Sequence, residues 1–314
     1  MKTVLGFDTS NYTTSAAVFR ADGTGCNEGR LLDVPEGGLG LRQSDALFQH
    51  VRRLPERMDA LRDAGELPAL TDLAAVGAST APRAVEGSYM PCFLAGTSQA
   101  RVLADVLGVP FFGCSHQQGH VAAASWSAGH PELLDAPFLS WHLSGGTTEL
   151  LLTEPVDGMP HMTILGATED ISAGQLIDRT GKLLGIPFPA GKALDALAAE
   201  SDSTDCFPVK LRGLSFSLSG VENQVKQRLE KDVPAADVAR FALNTVVRLI
   251  RQVTEQAQKE HSGLPVLFSG GVASNALLRR DLGERALFAE PRYSTDNAMG
   301  VAILTLRALE RGLI

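Results

Sequence analysis

Thr3-Val4-Leu5-Gly6-Phe7-Asp8 is followed by Thr9-Ser10-Asn11-Tyr12-Thr13-Thr14 and then by Ser15-Ala16-Ala17-Val18-Phe19: an apolar run, a polar cluster, an apolar run. The pattern predicts strand, turn, strand, a hairpin whose tip is crowded with hydroxyls and backbone amides. The same logic recurs near mid-chain. Phe138 to Leu143 leads into Ser144-Gly145-Gly146-Thr147-Thr148, and Glu149-Leu150-Leu151-Leu152 leads out. Paired glycines let the backbone approach an anion closely, and the hydroxyls add donors. A third segment runs from Pro265 to Ser269, turns at Gly270-Gly271-Val272-Ala273-Ser274-Asn275, and continues as Ala276-Leu277-Leu278-Arg279. It predicts strand, glycine turn, helix, and a helix N-terminus can hold a phosphate.

Singly, each loop reads as an ordinary tight turn, and neither GxGxxG nor GxxxxGK[ST] occurs, which argues against a Rossmann or P-loop site. Three loops at the same kind of strand boundary, two of them near-repeats about half a chain apart, predict more. They point to a duplicated α/β fold with two lobes around a nucleotide cleft, as in actin, Hsp70 and hexokinase. Between the loops, Ser44 to Ala64, Met90 to Leu107, Ser172 to Leu184, Ala235 to Lys259 and Asp296 to Arg311 read as helices. Leu73 to Ala78 and Val109 to Phe112 read as strands, and Asp202 to Gly213 as irregular.

The chain has 314 residues, 44% of them hydrophobic and 20% charged, enough for a sizeable core. No apolar run reaches the roughly 18 residues that span a bilayer, and the start reads as a strand rather than a signal peptide. The expectation is a cytoplasmic protein with no membrane association. Cys26, Cys92, Cys114 and Cys206 are scattered without CxxC spacing, which favours reduced thiols over a disulfide framework or zinc knuckle. Cys114 lies close to a histidine pair, but reads better as a small buried hydrophobe. Lys and Arg number 28 against 36 Asp and Glu, a net charge of −8. That argues against broad charge-driven nucleic-acid binding by this chain alone. Arg52-Arg53 with Arg57, and Arg279-Arg280, are local basic candidates that read as solvated helix faces.

Cys114-Ser115-His116-Gln117-Gln118-Gly119-His120 holds two histidines four apart, which on a helix share one face as a common divalent ion requires. Such pairs also arise on helix surfaces by chance. No HExxH occurs and Gln118 stands where a metalloprotease would need its glutamate, so hydrolysis of peptides is the weakest reading. His142 and His161 read as structural.

In collinear order, His116 with His120, Ser144-Gly145-Gly146, Ala173-Gly174 followed by Asp178, Pro189-Ala190-Gly191, Ser215-Phe216-Ser217, Gly270 to Asn275, and Thr295-Asp296-Asn297 resemble the TsaD (Gcp, YgjD) family. That family was once labelled an O-sialoglycoprotein endopeptidase and is understood as the tRNA threonylcarbamoyladenosine transferase, with an actin-like fold. The resemblance implies an N-terminal lobe over 1–132 carrying the first loop and the histidines. It implies a C-terminal lobe over 133–314 carrying the other two loops, its last helix returning towards the first lobe. It implies iron or zinc on His116, His120 and Asp296, although Asp296 could instead cap the final helix. Substrate contacts fall on Leu143, Ser144, Gly145, Gly146, Thr147, Asp178, Gly191, Asp195 and Asn275, with Gly270 and Gly271 in the nucleotide loop. Asp178 and Asp195 would otherwise read as solvated carboxylates. Asp8 resembles the acidic residue that contacts the metal or its water in actin-like folds; with Ser144 it is a candidate for a direct part in the chemistry. ATP or threonylcarbamoyl-AMP is the implied nucleotide, the N6 amine of the adenosine beside the tRNA anticodon the implied acceptor, and a second actin-like subunit of the TsaB type, or a second copy, the implied partner.

The departures bear on the acceptor. Tyr12-Thr13 replaces an Asp-Glu pair, Thr147 a histidine and Gln118 a glutamate; Ala81 to Ser88 replaces a Gly-Pro-Gly turn, and Leu218 is an extra residue. They are compatible with a paralogue whose acceptor is a small molecule recognised by Arg83 and Glu86; the alternative for these two is an exposed ion pair. A non-catalytic nucleotide-binding partner subunit is a third reading, but has no need of two histidines and an aspartate together.

Overall fold

Two sheets are built by the same sequence of moves. The computed structural model describes residues 2–10, 12–34 and 41–314; Asn11, in the first hairpin tip, lies outside them. The chain runs β1 (Thr3–Asp8), β2 (Thr13–Arg20), β3 (Gly25–Leu31), α1 (Gln43–Asp63), β4 (Leu73–Ala81), α2 (Phe93–Leu107), β5 (Phe111–Ser115) and α3 (His116–Ser127). It continues through β6 (Phe138–Leu143), β7 (Thr148–Val156), β8 (Met159–Ala167), α4 (Ala173–Leu183), α5 (Gly191–Ala198), β9 (Leu211–Arg212) and β10 (Ser215–Phe216). Then come α6 (Ser219–Glu230), α7 (Ala235–Glu260), β11 (Val266–Ser269), α8 (Ala276–Leu282), β12 (Leu287–Phe288) and α9 (Met299–Glu310).

The first sheet has the order β3-β2-β1-β4-β5 and the second β12-β11-β6-β7-β8. In each, an opening hairpin is antiparallel (Asp8 opposite Ser15; Leu143 opposite Thr148) and two later strands add parallel beside the hairpin's first strand. The strands that add parallel follow long crossovers through helices, as parallel pairing requires. This doubled topology is the duplicated α/β architecture that the near-repeated loops predict.

Packing separates the chain into two units, Met1–Ala136 with Glu154–His161 and Arg292–Ile314, and Pro137–Thr153 with Met162–Pro291. The core of the first packs Leu5, Phe7, Val18 and Val76 of the sheet against Leu54 and Leu61 of α1 and Ala95, Ala100 and Ala104 of α2. On the other face lies α9, buried along nearly its whole length. It comes so close to α3 that a Cβ built on Gly300 would lie 1.8 Å from the Gly119 carbonyl oxygen, so only glycine fits there. The core of the second unit gathers around α7, a 26-residue helix with thirteen buried side chains. Its centre is Trp141 on β6, fully buried, whose indole N–H donates to Thr254 Oγ1 on α7 at 2.9 Å.

Several boundaries differ from the sequence reading. The strand expected at 109–112 is β5 at 111–115, which carries the chain directly into α3 through the Ser115 capping box. The last helix begins at Met299, three residues later than expected, with Ala298 at the N-cap; in the turn before it Asn297 Oδ1 accepts from the Met299 N–H at 3.1 Å. Asp296 is therefore not the N-cap, which lies two residues on at Ala298. Arg53 is buried rather than solvated, donating to the Leu31 carbonyl and Asp33, and Arg279 donates to the carbonyls of Ala273 (3.0 Å) and Ala289 (3.1 Å). Both guanidiniums pin loops. Among the described residues, no helix is long and apolar enough to cross a membrane.

Candidate metal centre and glycine loops

Parallel strands β1, β4 and β5 end at one edge of the first sheet, and their last residues converge there. Asp8 closes β1 and is fully buried. Its carboxylate accepts from Ser79 Oγ on β4 at 2.5 Å, from the Ser10 N–H and Oγ at 3.1 Å each, and from His116 Nδ1 at 3.0 Å. His116 is the first residue of α3, so the end of β5 aims its ring at the end of β1.

With Nδ1 bonded to Asp8, His116 presents Nε2 outward. His120, one turn on, brings its own Nε2 to 2.8 Å from it. Asp296 Oδ1 lies 3.5 Å from His116 Nε2 and 3.4 Å from His120 Nε2. The three ligand atoms fall within 4.8 Å of one another. An ion bonded at about 2.0–2.1 Å to each ligand with tetrahedral angles needs donors about 3.3 Å apart. The set fits a divalent ion after shifts of a few tenths of an ångström, and it leaves coordination positions open. Cys114, beside them, is buried and belongs to no ligand group; burial, then the Asp8 charge, pushes its thiol above the usual range.

The charges lock this arrangement. Burial opposes protonation of His116, yet the Asp8 carboxylate and the Asp296 hydrogen bond together push it up to about 10. Burial would raise Asp8 and Asp296, but the histidines hold both below the ordinary carboxylate range. Asp296 is aimed by its successor: Asn297 Nδ2 donates to the carbonyls of Tyr293 (3.2 Å) and Thr295 (2.7 Å), which fixes the turn before α9.

Gln118 has a structural occupation. Its side-chain oxygen accepts from the Ser115 N–H at 2.8 Å, its backbone N–H donates to Ser115 Oγ at 3.2 Å, and its Nε2 donates to the Pro160 carbonyl at 2.9 Å. A carboxylate could not make the last bond. In the divergent segment, the Arg83 N–H donates to Ser88 Oγ at 3.0 Å and Glu86 is exposed.

The other candidates lie in the second unit. Strands β6 and β11 are parallel neighbours, so loops 144–147 and 270–275 leave the same edge. Gly270 has φ of +92°, and a Cβ there would lie 2.2 Å from the Leu143 carbonyl oxygen, so the two loops abut. Ser144 shapes its own turn: its N–H donates to the Thr147 carbonyl at 2.8 Å and its Oγ accepts from the Thr147 N–H at 3.0 Å. Gly145 and Gly146 are exposed at the tip, and Ser172 Oγ donates to the Gly145 carbonyl at 2.7 Å. Asp178 Oδ1 accepts from the Ala190 N–H at 2.9 Å, setting the turn that ends at Gly191. Asp195 accepts from Asn275 Nδ2 at 2.9 Å and from the Ala276 N–H at 3.0 Å, while Asn275 Oδ1 caps the Leu278 N–H at 3.0 Å. Asp178, Gly191, Asp195 and Asn275 thus form one connected framework. The sequence reading missed Ser10, Ser79 and Ser172; the signal for Ser79 was a hydroxyl closing an apolar strand, as Asp8 closes the first.

A sequence model described as TsaD, tRNA N6-adenosine threonylcarbamoyltransferase, matches residues 39–303. A protein of that name from Thermus thermophilus is 33% identical over 317 residues, covering 98% of this chain and 94% of that protein. One from Syntrophus aciditrophicus is 33% identical over 334 residues, covering 98% and 93%. Among solved structures, the activator of 2-hydroxyisocaproyl-CoA dehydratase from Clostridium difficile with bound ADPNP superposes with TM-score 0.53 at 12% identity, over 99% of this chain and 98% of that one. Full-length HypF in a phosphate- and nucleotide-bound form gives TM-score 0.60 at 15% identity, over 99% of this chain and 56% of that one. At these identities the structural matches speak to fold alone, and the fold is the actin-like ATPase and sugar-kinase type.

Proposed function

The chain belongs to the TsaD family of tRNA N6-adenosine threonylcarbamoyltransferases, and from that premise we propose that it moves a threonylcarbamoyl group from threonylcarbamoyl-AMP to the N6 amine of the adenosine beside a tRNA anticodon, releasing AMP, with a divalent iron or zinc ion at His116, His120 and Asp296. The observation that carries the reading is the convergence of two Nε2 atoms and one carboxylate oxygen on a common point, backed by a buried carboxylate on the far nitrogen of one ring. Solvated side chains do not need such backing; a metal-bound imidazole does.

When bound, the ion supplies Lewis acidity toward an acyl carbonyl or phosphate oxygen. The chain's own residues supply the rest. Asp8 holds the Nδ1 proton of His116, so the proton that a metal would displace is the one on Nε2. Gly145 and Gly146 offer uncovered backbone amides suited to a phosphate. Asp178 and Asp195 brace the Gly191 turn and the start of α8, where ribose hydroxyls would find acceptors. Asp8 and Ser144 act in this reading by positioning.

A second actin-like subunit, or a second copy of this chain, and tRNA are the proposed partners. The substitutions at Tyr12, Thr13 and Thr147 favour one further reading, transfer of the same kind of group to a small-molecule acceptor. Purified protein of known metal content, given threonylcarbamoyl-AMP and unmodified tRNA with and without partner subunits, separates the two. Modified adenosine that vanishes on chelation is the expected result. Bound metal and consumption of the adenylate with no modified tRNA would move the assignment to the other acceptor.

A further inference from the structure

One face of α7 carries Arg240, Asn244, Arg248 and Arg251 at helical spacing, and these line a cavity of about 450 Å³ in the second unit together with Cys206 and Asp281. Arg240 is anchored, donating to the carbonyls of Ala198 (3.3 Å) and Ser201 (2.9 Å) and to Asn244 Oδ1 (3.2 Å). Asn244 in turn donates to the carbonyls of Ser203 (2.9 Å) and Asp205 (3.1 Å). Arg251 gives one N–H to Asp281 at 2.9 Å, and Arg248 gives one to Cys206 Sγ at 3.2 Å. A guanidinium has five N–H groups, so these two keep most of their donors for another partner.

Three guanidiniums against one carboxylate leave the cavity with two excess positive charges, inside a chain whose net charge is −8. Gathering like charges in a concavity is unfavourable unless an anion offsets them. A phosphate monoester carries about −1.5 to −2 at neutral pH, which matches that excess. Forked guanidiniums match its oxygens in pairs. The volume is that of a small-molecule site rather than of a flat nucleic-acid track. We propose that this cavity binds a small phosphate-bearing anion, nucleotide-sized or smaller. Arg240 also lines an adjoining cavity of about 440 Å³ that includes Asp195, Lys192 and Arg280, so the site stands next to, and apart from, the framework around Asn275. It is independent of the transferase reading.

Cys206 in the wall is a built-in reporter, and Cys26, also partly exposed but in the other unit, is its internal control. The full-length protein is alkylated with iodoacetamide in the presence of inorganic pyrophosphate, AMP, a short single-stranded RNA, or sodium chloride at matched ionic strength. Peptide mass spectrometry reads both cysteines. Pyrophosphate or AMP is expected to slow Cys206 several-fold and leave Cys26 unchanged. Protection by pyrophosphate identifies bare phosphate as sufficient; protection by AMP alone identifies a nucleotide. Arg248→Ala and Arg251→Ala, at exposed positions where the fold tolerates truncation, should each raise the half-protecting concentration about tenfold against their own unliganded rates. No protection by either small anion, equal protection by chloride, protection by RNA only, or unchanged protection in both variants would overturn the proposal.

Discussion

Asp8 decides which nitrogen His116 offers. Its carboxylate accepts from Nδ1, and the opposite nitrogen is thereby the one that faces His120 and Asp296. Asp8→Asn keeps the shape and removes the charge; it should lower zinc or iron affinity about 10- to 100-fold with little change in fold, read by competition with a chromophoric chelator. A titration equal to that of the parent protein would remove Asp8 from the centre. The same contacts set a pH dependence for metal-free protein. His116 is raised from 6.5 to about 10, so its contribution is complete below pH 6.5 and is lost as pH rises towards 10. Asp8 and Asp296 are lowered, so theirs fades below pH about 4. Thermal melts of chelated protein should therefore weaken between pH 7 and 10. Metal-loaded protein should gain relative to it over the same range, because the ion must displace a proton. The i,i+4 spacing of the histidines is legible in the sequence, and it predicts the shared face that the rings adopt. What orients them is not. Asp8, Ser79 and His116 meet only because three parallel strands end together, which one-dimensional periodicity does not express.

At the scale of elements, the centre depends on how α9 lies against α3. Gly300→Ala would drive a methyl into the Gly119 carbonyl, and backbone there has no room to yield. A loss of about 3 kcal/mol in urea unfolding, with weakened metal binding, is the expected outcome. Asn297→Ala should cost about 2 kcal/mol, since it removes the bond to the Met299 N–H and two bonds to the turn that carries Asp296; an unchanged midpoint would show the turn to be held by other means. Most helices are readable from apolar spacing to within a few residues. The errors have physical causes. Thr295-Asp296 reads as a cap, but the helix starts after Ala298, because Asn297 ties the preceding residues into a turn by accepting from Met299 while donating backwards. Arg53 and Arg279 read as solvated because charge alone is visible in sequence, whereas the carbonyls they pin are supplied by distant loops. The partnership of Asp195 with Asn275 likewise joins helices that sequence spacing does not relate.

Across the whole molecule, one strand plan serves two units, and the candidate site residues are divided between them: imidazoles and carboxylates in the first, glycine turns and their braces in the second. The recurrence of strand-loop-strand is what makes this duplicated fold readable without coordinates. The assignment of the last helix to the first unit comes from packing. Amide hydrogen exchange with and without zinc should show slowing centred on 116–127 and 296–310, where the proposed ligands sit; uniform change or none would argue that the ion binds elsewhere. Because α9 packs with strands made far earlier in the sequence, the order of synthesis matters. A ribosome that has made β1 and α3 has produced both histidines but not the proposed third ligand, and the sheet face that α9 covers is still bare. In the proposed reading the site cannot close until residue 296 has been made, so a chain stalled before it should hold zinc more weakly than one that carries Asp296.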